Sequence, residues 1–272
     1  MEKKLTLAEK WEKLTFSDNY IFCKVMELNH DVCKEMLELL LNIEIERIEI
    51  LESERTMKVD YDSKGIRLDV YVKDENGRCF DIEIQTSVEK ELSLAKRTRY
   101  YQGLMDVDSV FSGKKYKELN ETFVIFLCMG DVFGFDLPVY TFENICTENS
   151  EIKMEDGTHK IFFNVKKYDT MKSKELKSFF KYLCGKQPDS DFSERISAIV
   201  KRIKMNARWR HEFMTVQEEI EIQVEKASEE RAIDNAKNFL EMGLSPEKVA
   251  KGTSLPLKQV LDIQNKLQNM KS

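Results

Sequence analysis

The run Phe123-Val-Ile-Phe-Leu-Cys-Met129 constrains the fold of this chain more than any other segment. Its consecutive apolar, β-favouring residues leave no polar face, so a strand formed here must be covered on both sides. Such a strand belongs in the interior of a parallel or mixed sheet with helices packed above and below. The run is far too short to cross a bilayer as a helix, which takes ~20 residues. Apolar residues make up 42% of the 272-residue chain, enough for a sizeable core. With only 10 Gly and 4 Pro, linker-rich and collagen-like architectures are excluded and long helices are favoured.

The remaining elements follow from periodicity and punctuation. Ser17-Asp18 ahead of Tyr20, Ile21, Phe22, Val25 and Met26 predicts a capped amphipathic helix, and Asp31 ahead of Val32, Met36 and Leu37 a second. Residues 43–50 alternate Ile with charged residues and read as a half-exposed strand. Strands over 67–72 and 79–85 flank Asn76-Gly77, a strong hairpin signal, and a long helix over 92–111 carries Lys96, Arg97 and Arg99. Residues 140–145 read as a short strand, and 152–154 with 160–165 as a second hairpin around Glu155-Asp-Gly157. From Ser173 onward the pattern is helical. A helix over 173–183 stops at Gly185 and Pro188, and one or two long helices cover 192–240. Trp209, Phe213, Val216, Ile220, Val224 and Ala227 recur at steps of three and four, an apolar stripe that suits core or a dimer seam. Ser245-Pro246 opens a minimal helix-turn-helix whose second helix is lined by Leu257, Val260, Leu261 and Ile263; such a tail reads DNA or serves packing and assembly. The expected division is a core at 16–170, a helical region at 171–240 and a tail at 241–272.

Acids outnumber bases 49 to 43, a net charge of −6. A nucleic-acid contact would therefore use a local basic patch, since charges act within roughly 8–10 Å in physiological salt. The densest patch is Lys201, Arg202, Lys204, Arg208 and Arg210, which on one helix could lie along a DNA backbone or simply balance the acidic segment beginning at Glu212. The N-terminus is charged and lacks an apolar signal core, so a cytoplasmic protein with no membrane partner is expected. Six cysteines are scattered without a Cys-x-x-Cys pair, and His30, His159 and His211 lack ligand spacing, which argues for reduced thiols and against a zinc site.

The stretch with chemistry in it is Arg67-Leu-Asp69-Val-Tyr71 followed by Phe80-Asp81-Ile-Glu83-Ile-Gln85. On the second strand Asp81, Glu83 and Gln85 share one face and Phe80, Ile82 and Ile84 the other. The hairpin register decides whether Asp69 can meet Glu83. A two-residue loop pairs 75 with 78 and sends Glu83 to the opposite side from Asp69. A three-residue loop, Glu75-Asn76-Gly77, pairs 74 with 78 and sets Asp69 across from Glu83 and Arg67 across from Gln85. That register needs a left-handed residue at the loop's end, which Gly77 supplies at little cost, so it is the one expected. Opposed carboxylates have β-carbons about 4.5–5.5 Å apart and repel one another unless a cation lies between them. Oxygen ligands of this kind suit Mg²⁺ or Mn²⁺, which can polarise a phosphate and assist the departure of its 3′ oxygen. Arg67, Arg97, Arg99 and Tyr101 are candidates for phosphate contact, or for ordinary surface ion pairs. On these residues alone, an ordinary hairpin with a solvated polar face is the favoured explanation of the pattern.

A wider resemblance changes that balance. Asp69, the hairpin and Glu83-Ile-Gln85 resemble the PD-(D/E)XK nuclease superfamily. Within it the chain is similar to the Rpn family of recombination-promoting nucleases, also classed as transposases. The likeness extends to Leu14-Thr-Phe-Ser-Asp18-Asn-Tyr-Ile-Phe22, to Arg97-Thr-Arg-Tyr100-Tyr101-Gln and to the tail Gly243-Leu-Ser-Pro-Glu-Lys-Val-Ala250. It implies an α/β, restriction-endonuclease-like mixed sheet flanked by helices, followed by an all-helical C-terminal region. It also implies Mg²⁺- or Mn²⁺-dependent cleavage of DNA in recombination or mobile-element biology. Carried over by position, Asp69 and Glu83 are metal ligands, and Asp69, Glu83 and Gln85 the catalytic set. Two departures stand out: Gln85 occupies the place of the superfamily's lysine and brings a dipole where a charge is usual, and Leu68 replaces the proline before Asp69. Gln85 and the acidic net charge keep open a catalytically silent DNA-binding or assembly module. A purely protein-binding helical scaffold built on 192–240 is a third reading, and the C-terminal helices could also join copies of the chain as a homo-oligomer.

Overall fold

The computed structural model describes residues 5–57, 66–86, 93–110 and 115–269. Its elements are α1 (Leu7–Lys13), α2 (Asn19–Leu28), α3 (His30–Leu41), β1 (Ile48–Met57), β2 (Ile66–Asp74), β3 (Cys79–Gln85), α4 (Ser93–Val110), β4 (Thr122–Cys128), β5 (Val139–Phe142), β6 (Thr158–Asn164), α5 (Lys174–Leu183), α6 (Asp191–Lys204), α7 (Ala207–Glu241), α8 (Pro246–Thr253) and α9 (Leu257–Asn269). The expected helix over 92–111 is α4; Leu92 and Phe111 lie outside the described residues.

Strand β4 is buried along its whole length, as its unbroken apolar run requires, and it occupies the interior of the sheet. The strand order is β1-β2-β3-β4-β6-β5. β3 and β6 both run parallel to β4, whereas β1–β2, β2–β3 and β5–β6 are antiparallel. A parallel β3–β4 pair needs a crossover, and α4 is placed in it. Val124, Phe126 and Cys128 of β4 turn toward α4 and join Leu94, Tyr101, Leu104 and Met105 in one core. The opposite face of the sheet is covered by α2, which packs on β1 and β2, by α3 against β1 and by α5 through Phe180 against Phe163, with α6 packed on α2 and α5. Ile21, Phe22, Phe179, Phe180 and Ile196 are fully buried there. This is the α/β mixed sheet flanked by helices that the sequence predicts.

Two expected strands differ. β1 begins at Ile48 and continues to Met57, so the alternation of 43–50 marks only its start. The second hairpin does not form. Residue Lys153 makes a single bridge to Ile145, and the antiparallel partner of β6 is β5. The reason is burial. Tyr140 of β5 is buried in the aromatic cluster with Phe133 and Phe162, whereas Ile152 and Met154 are exposed and offer β6 no apolar face.

The chain divides into two compact units. One is Glu9–Ala207; the other combines the described residues before Glu9 with those from Arg208 onward. Helices α5 and α6 therefore belong with the sheet, where the sequence placed its boundary near 170. In the second unit the end of α7 packs with α8, which opens at Ser245-Pro246, and with α9, through Ala236, Val249, Leu255, Val260 and Ile263. Among the described residues no helix is long and apolar enough to cross a membrane. All six cysteines are free.

Candidate active site

The site begins with the turn. The carboxylate of Asp74 accepts from the backbone N–H groups of Asn76 (3.1 Å) and Arg78 (2.8 Å) and from the Arg78 guanidinium (2.6 Å), which closes a three-residue loop. Gly77 takes the left-handed conformation at φ +79°, with its N–H donated to the Asp74 carbonyl. Asp74 also donates its N–H to the Arg78 carbonyl, and the pairing continues as Lys73↔Cys79, Val72↔Phe80, Tyr71↔Asp81 and Val70↔Ile82. This is the register expected from Gly77, and it brings Asp69 level with Glu83.

At that level the side chains take over as links between the strands. Glu83 Oε1 accepts the Asp69 backbone N–H at 3.0 Å, and Asp69 Oδ2 accepts the Ile84 N–H at 3.3 Å. Asp69 Oδ1 accepts from the Asn19 amide at 3.0 Å. Asn19 opens α2, and its position is held from the preceding turn, where Asp18 accepts the backbone N–H and the hydroxyl of Thr15. From α4, Arg97 reaches down so that Nη2 lies 2.8 Å from Glu83 Oε2 and Nη1 3.4 Å from Gln85 Oε1. On the other side of Asp69, Glu54 of β1 adopts φ +53°, a conformation that costs a non-glycine residue free energy and that accumulates at functional sites.

Three carboxyl groups, Asp69, Asp81 and Glu83, are buried together. Asp81 is fully buried, and neither of its oxygens has a hydrogen-bond partner among the described residues. Burial, reinforced by the charges of Glu83 and Asp69, holds the Asp81 carboxyl well above the usual range. Glu83 is pushed up to about 7 by burial and by Asp69. Asp69 is also raised by burial, against the opposing pull of its hydrogen bonds to Ile84 and Asn19. Beside them the Cys23 thiol, donated to Asn19 Oδ1 at 2.9 Å, is raised by burial and by the Asp69 charge, so it stays an inert core group. A cluster with this much acid gains by taking up a cation. Among the described residues no three or more His, Cys, Asp and Glu converge as a cage. The carboxylate oxygens of Asp69 and Glu83 are donors of the kind that magnesium-like ions take, which use one or two carboxylates and keep waters. The orphaned oxygens of Asp81 behind Glu83 also fit a site that is short of positive charge.

The other sequence candidates separate. Arg67 lies near the cluster, exposed and paired with Glu54 at 3.3 Å. Arg99 is two positions from Arg97 on a helix and so faces away from the acids. Tyr101 is buried in the core under Arg97, so it props the guanidinium and is closed to phosphate contact. The basic run does not form one helix: α6 ends at Lys204 and α7 begins at Ala207. Lys201 and Arg202 remain exposed on α6, while Lys204 is committed to the carbonyls of Glu12 (2.6 Å) and Leu14 (3.0 Å), capping the end of α1. Arg208 and Arg210 belong to the second unit. The sequence did not single out Asn19 as a site residue. Its local signals are its place directly after the cap residue Asp18 and within the run 14–22 that carries the family likeness, and nothing near it points 50 positions ahead to Asp69.

With this geometry in hand, the chain can be set beside known proteins. The model of the PD-(D/E)XK nuclease family transposases matches residues 16–269. No curated protein and no solved structure matches the chain. The match begins before α2, runs through the acidic hairpin and ends in α9, and the chain belongs to the PD-(D/E)XK nuclease family transposases.

Proposed function

We propose that the protein is a metal-dependent DNA endonuclease of the Rpn kind, acting in recombination or mobile-element biology, with Asp69 and Glu83 holding the ion and Gln85 completing the catalytic set. The observation that carries this reading is the convergence of Asp69 and Glu83, linked at 3.0 Å through the Asp69 N–H, in a buried cluster with more acid than base. PD-(D/E)XK nucleases generally use divalent ions; the all-oxygen donor set suits Mg²⁺, with Mn²⁺ able to replace it. When bound, such an ion supplies Lewis-acid stabilisation of charge on the phosphate and a more acidic attacking water.

The chain's own residues do the positioning. Asn19 and the Ile84 N–H orient Asp69, and the Asp69 N–H orients Glu83, so neither carboxylate spends rotamer freedom when substrate arrives. Gln85, the last residue of β3, stands two positions after Glu83 beside Arg97, and its amide would contact the water or a phosphate oxygen. In the reaction the water oxygen bonds to phosphorus and the bond to the 3′ oxygen breaks; that oxygen leaves with a proton as a hydroxyl. Supercoiled plasmid incubated with Mg²⁺, Mn²⁺ or EDTA tests the reading. Nicking is expected with either ion, none in EDTA, and none for Asp69→Ala. Equal nicking in every sample would point to a contaminating nuclease and not to this site, and no nicking in any sample would leave the silent binding module as the better account.

We further propose that a second copy of the chain covers α7. Between Phe213 and Ala236 this 35-residue helix buries no side chain, yet Val216 (40% exposed), Ile220 (44%) and Val224 (63%) stand on it. A helix with an apolar stripe left in water is poorly stabilised alone. The stripe's spacing is symmetric about Ile220, so two antiparallel copies set Val216 against Val224 and Ile220 against itself. On the flank, Arg208 then approaches Glu230 of the second copy and Glu212 approaches Lys226, which matches charge to charge. Sedimentation should show a dimer that Ile220→Glu converts to monomer; a wild-type monomer at tens of micromolar would exclude this pairing.

A further inference from the structure

Arg97 is a basic group that reaches into the acidic cluster, and its placement says more than that it pairs with Glu83. Arg97 spans two residues of the site at once, with Nη2 at 2.8 Å from Glu83 and Nη1 at 3.4 Å from Gln85. Its guanidinium is held between two rings, 5.4 Å from the centroid of Tyr101 and 5.1 Å from that of Phe126. Phe126 is itself fully buried on β4 and stacked on Phe162, so this seat is rigid. The Arg97 side chain is nevertheless 39% exposed, while Glu83 beneath it is nearly closed to solvent. A planar group with five donors, fixed on its aromatic side and open on the other, can hold a carboxylate and still offer N–H groups outward. Gln85 cannot supply positive charge at this edge; Arg97 touches Gln85 and can.

From this we infer that Arg97 has two roles. In the ion-free protein it neutralises Glu83 and occupies the place of the cation; with DNA bound it contacts the scissile phosphate beside Gln85 and supplies the charge that a lysine at position 85 would have brought. The inference rests on the reading of Asp69 and Glu83 as the cation site. Two consequences of opposite sign follow. The guanidinium competes with the ion for Glu83, so removing it leaves the acids uncompensated and tightens ion binding. It also stabilises negative charge on the phosphate, so removing it slows cleavage even when the ion is saturating.

Calorimetric titration with Mn²⁺, alongside plasmid nicking at saturating Mn²⁺, separates these effects. Arg97→Gln is expected to bind Mn²⁺ about 10-fold more tightly than wild type. It should nick on the order of 10²-fold more slowly. Arg97→Lys should return the Mn²⁺ affinity close to wild type and recover part of the rate, because it restores the charge without the planar fork. A residue that merely braced the fold would weaken both binding and cleavage, and lysine would rescue neither. Unchanged or weaker Mn²⁺ binding by Arg97→Gln overturns the inference, as does a full nicking rate at saturating Mn²⁺. If wild type binds Mn²⁺ and loses it on Asp69→Asn, the cation site stands whatever Arg97 does. If wild type binds none, both readings fail together.

Discussion

Glu83→Gln removes plasmid nicking and flattens the pH dependence of the ion-free protein's stability. The two effects have one origin. Glu83 is nearly isosteric with glutamine, so the strand pairing and the packing of α4 are kept, but the carboxylate that would hold the ion is gone. Loss of several kcal/mol of charge stabilisation corresponds to a rate decrease on the order of 10³-fold. The pH effect follows from burial. The folded protein raises Glu83 from its ordinary 4.5 to about 7, so folding takes up a proton across that interval. The stabilisation carried by the protonated form is complete below about 4.5 and is lost as pH rises through about 7. Wild type without metal should therefore melt several degrees lower at pH 8 than at pH 5. Mn²⁺ should restore most of that difference at pH 8 and have little effect at pH 5, where the proton already neutralises the site. Glu83→Gln should show a shallower slope and no Mn²⁺ response. Scanning calorimetry at both pH values, with and without Mn²⁺, checks this; a metal-dependent melting shift that survives in Glu83→Gln places the ion elsewhere.

The largest structural effect is expected far from the acids, at Asp74→Ala. Asp74 is fully buried and its carboxylate collects the N–H groups of Asn76 and Arg78 and the Arg78 guanidinium. Alanine leaves the two backbone donors and a partly buried charge without their acceptor, a loss of about 3 kcal/mol or more. For a unit of this size that is a fall of roughly 6–12 °C in melting temperature. The functional consequence is larger than the loss of stability alone, because this turn sets the register of β2 against β3. A slip of one residue turns Glu83 to the other face of the sheet and parts it from Asp69. Nicking should therefore fall further in Asp74→Ala than in a core variant of equal stability. Urea denaturation gives the first quantity and the plasmid assay the second; a cost under about 1 kcal/mol would mean that Gly77 and Asn76 hold the turn without Asp74.

Much of the site was legible from a few neighbouring residues. The period-two alternation of Phe80 to Gln85 places Asp81, Glu83 and Gln85 on one face whatever surrounds them, and Gly77 selects the loop that sets Asp69 opposite Glu83. The unbroken run at 123–128 likewise demands an interior strand, and β4 is one. These are consequences of backbone sterics and side-chain alternation, which act over a handful of positions.

What the chain could not announce locally is how far-apart segments meet. Asn19, Asp69 and Arg97 come together because α2 and α4 pack on opposite faces of the same sheet, and no spacing rule links positions 19 and 97. The full burial of Asp81 follows from what lies over β3; the same residue on an open hairpin would be an ordinary solvated acid. Packing also divides the basic run, with Lys204 drawn back to cap α1, and it leaves the middle of the α7 stripe in solvent. The sequence by itself determined which carboxylates face the same way, because that depends on the geometry of one hairpin. Only the tertiary structure decided their burial, their shared excess of charge and the arginine that answers it, because desolvation and Coulomb forces depend on every segment that folds over the site.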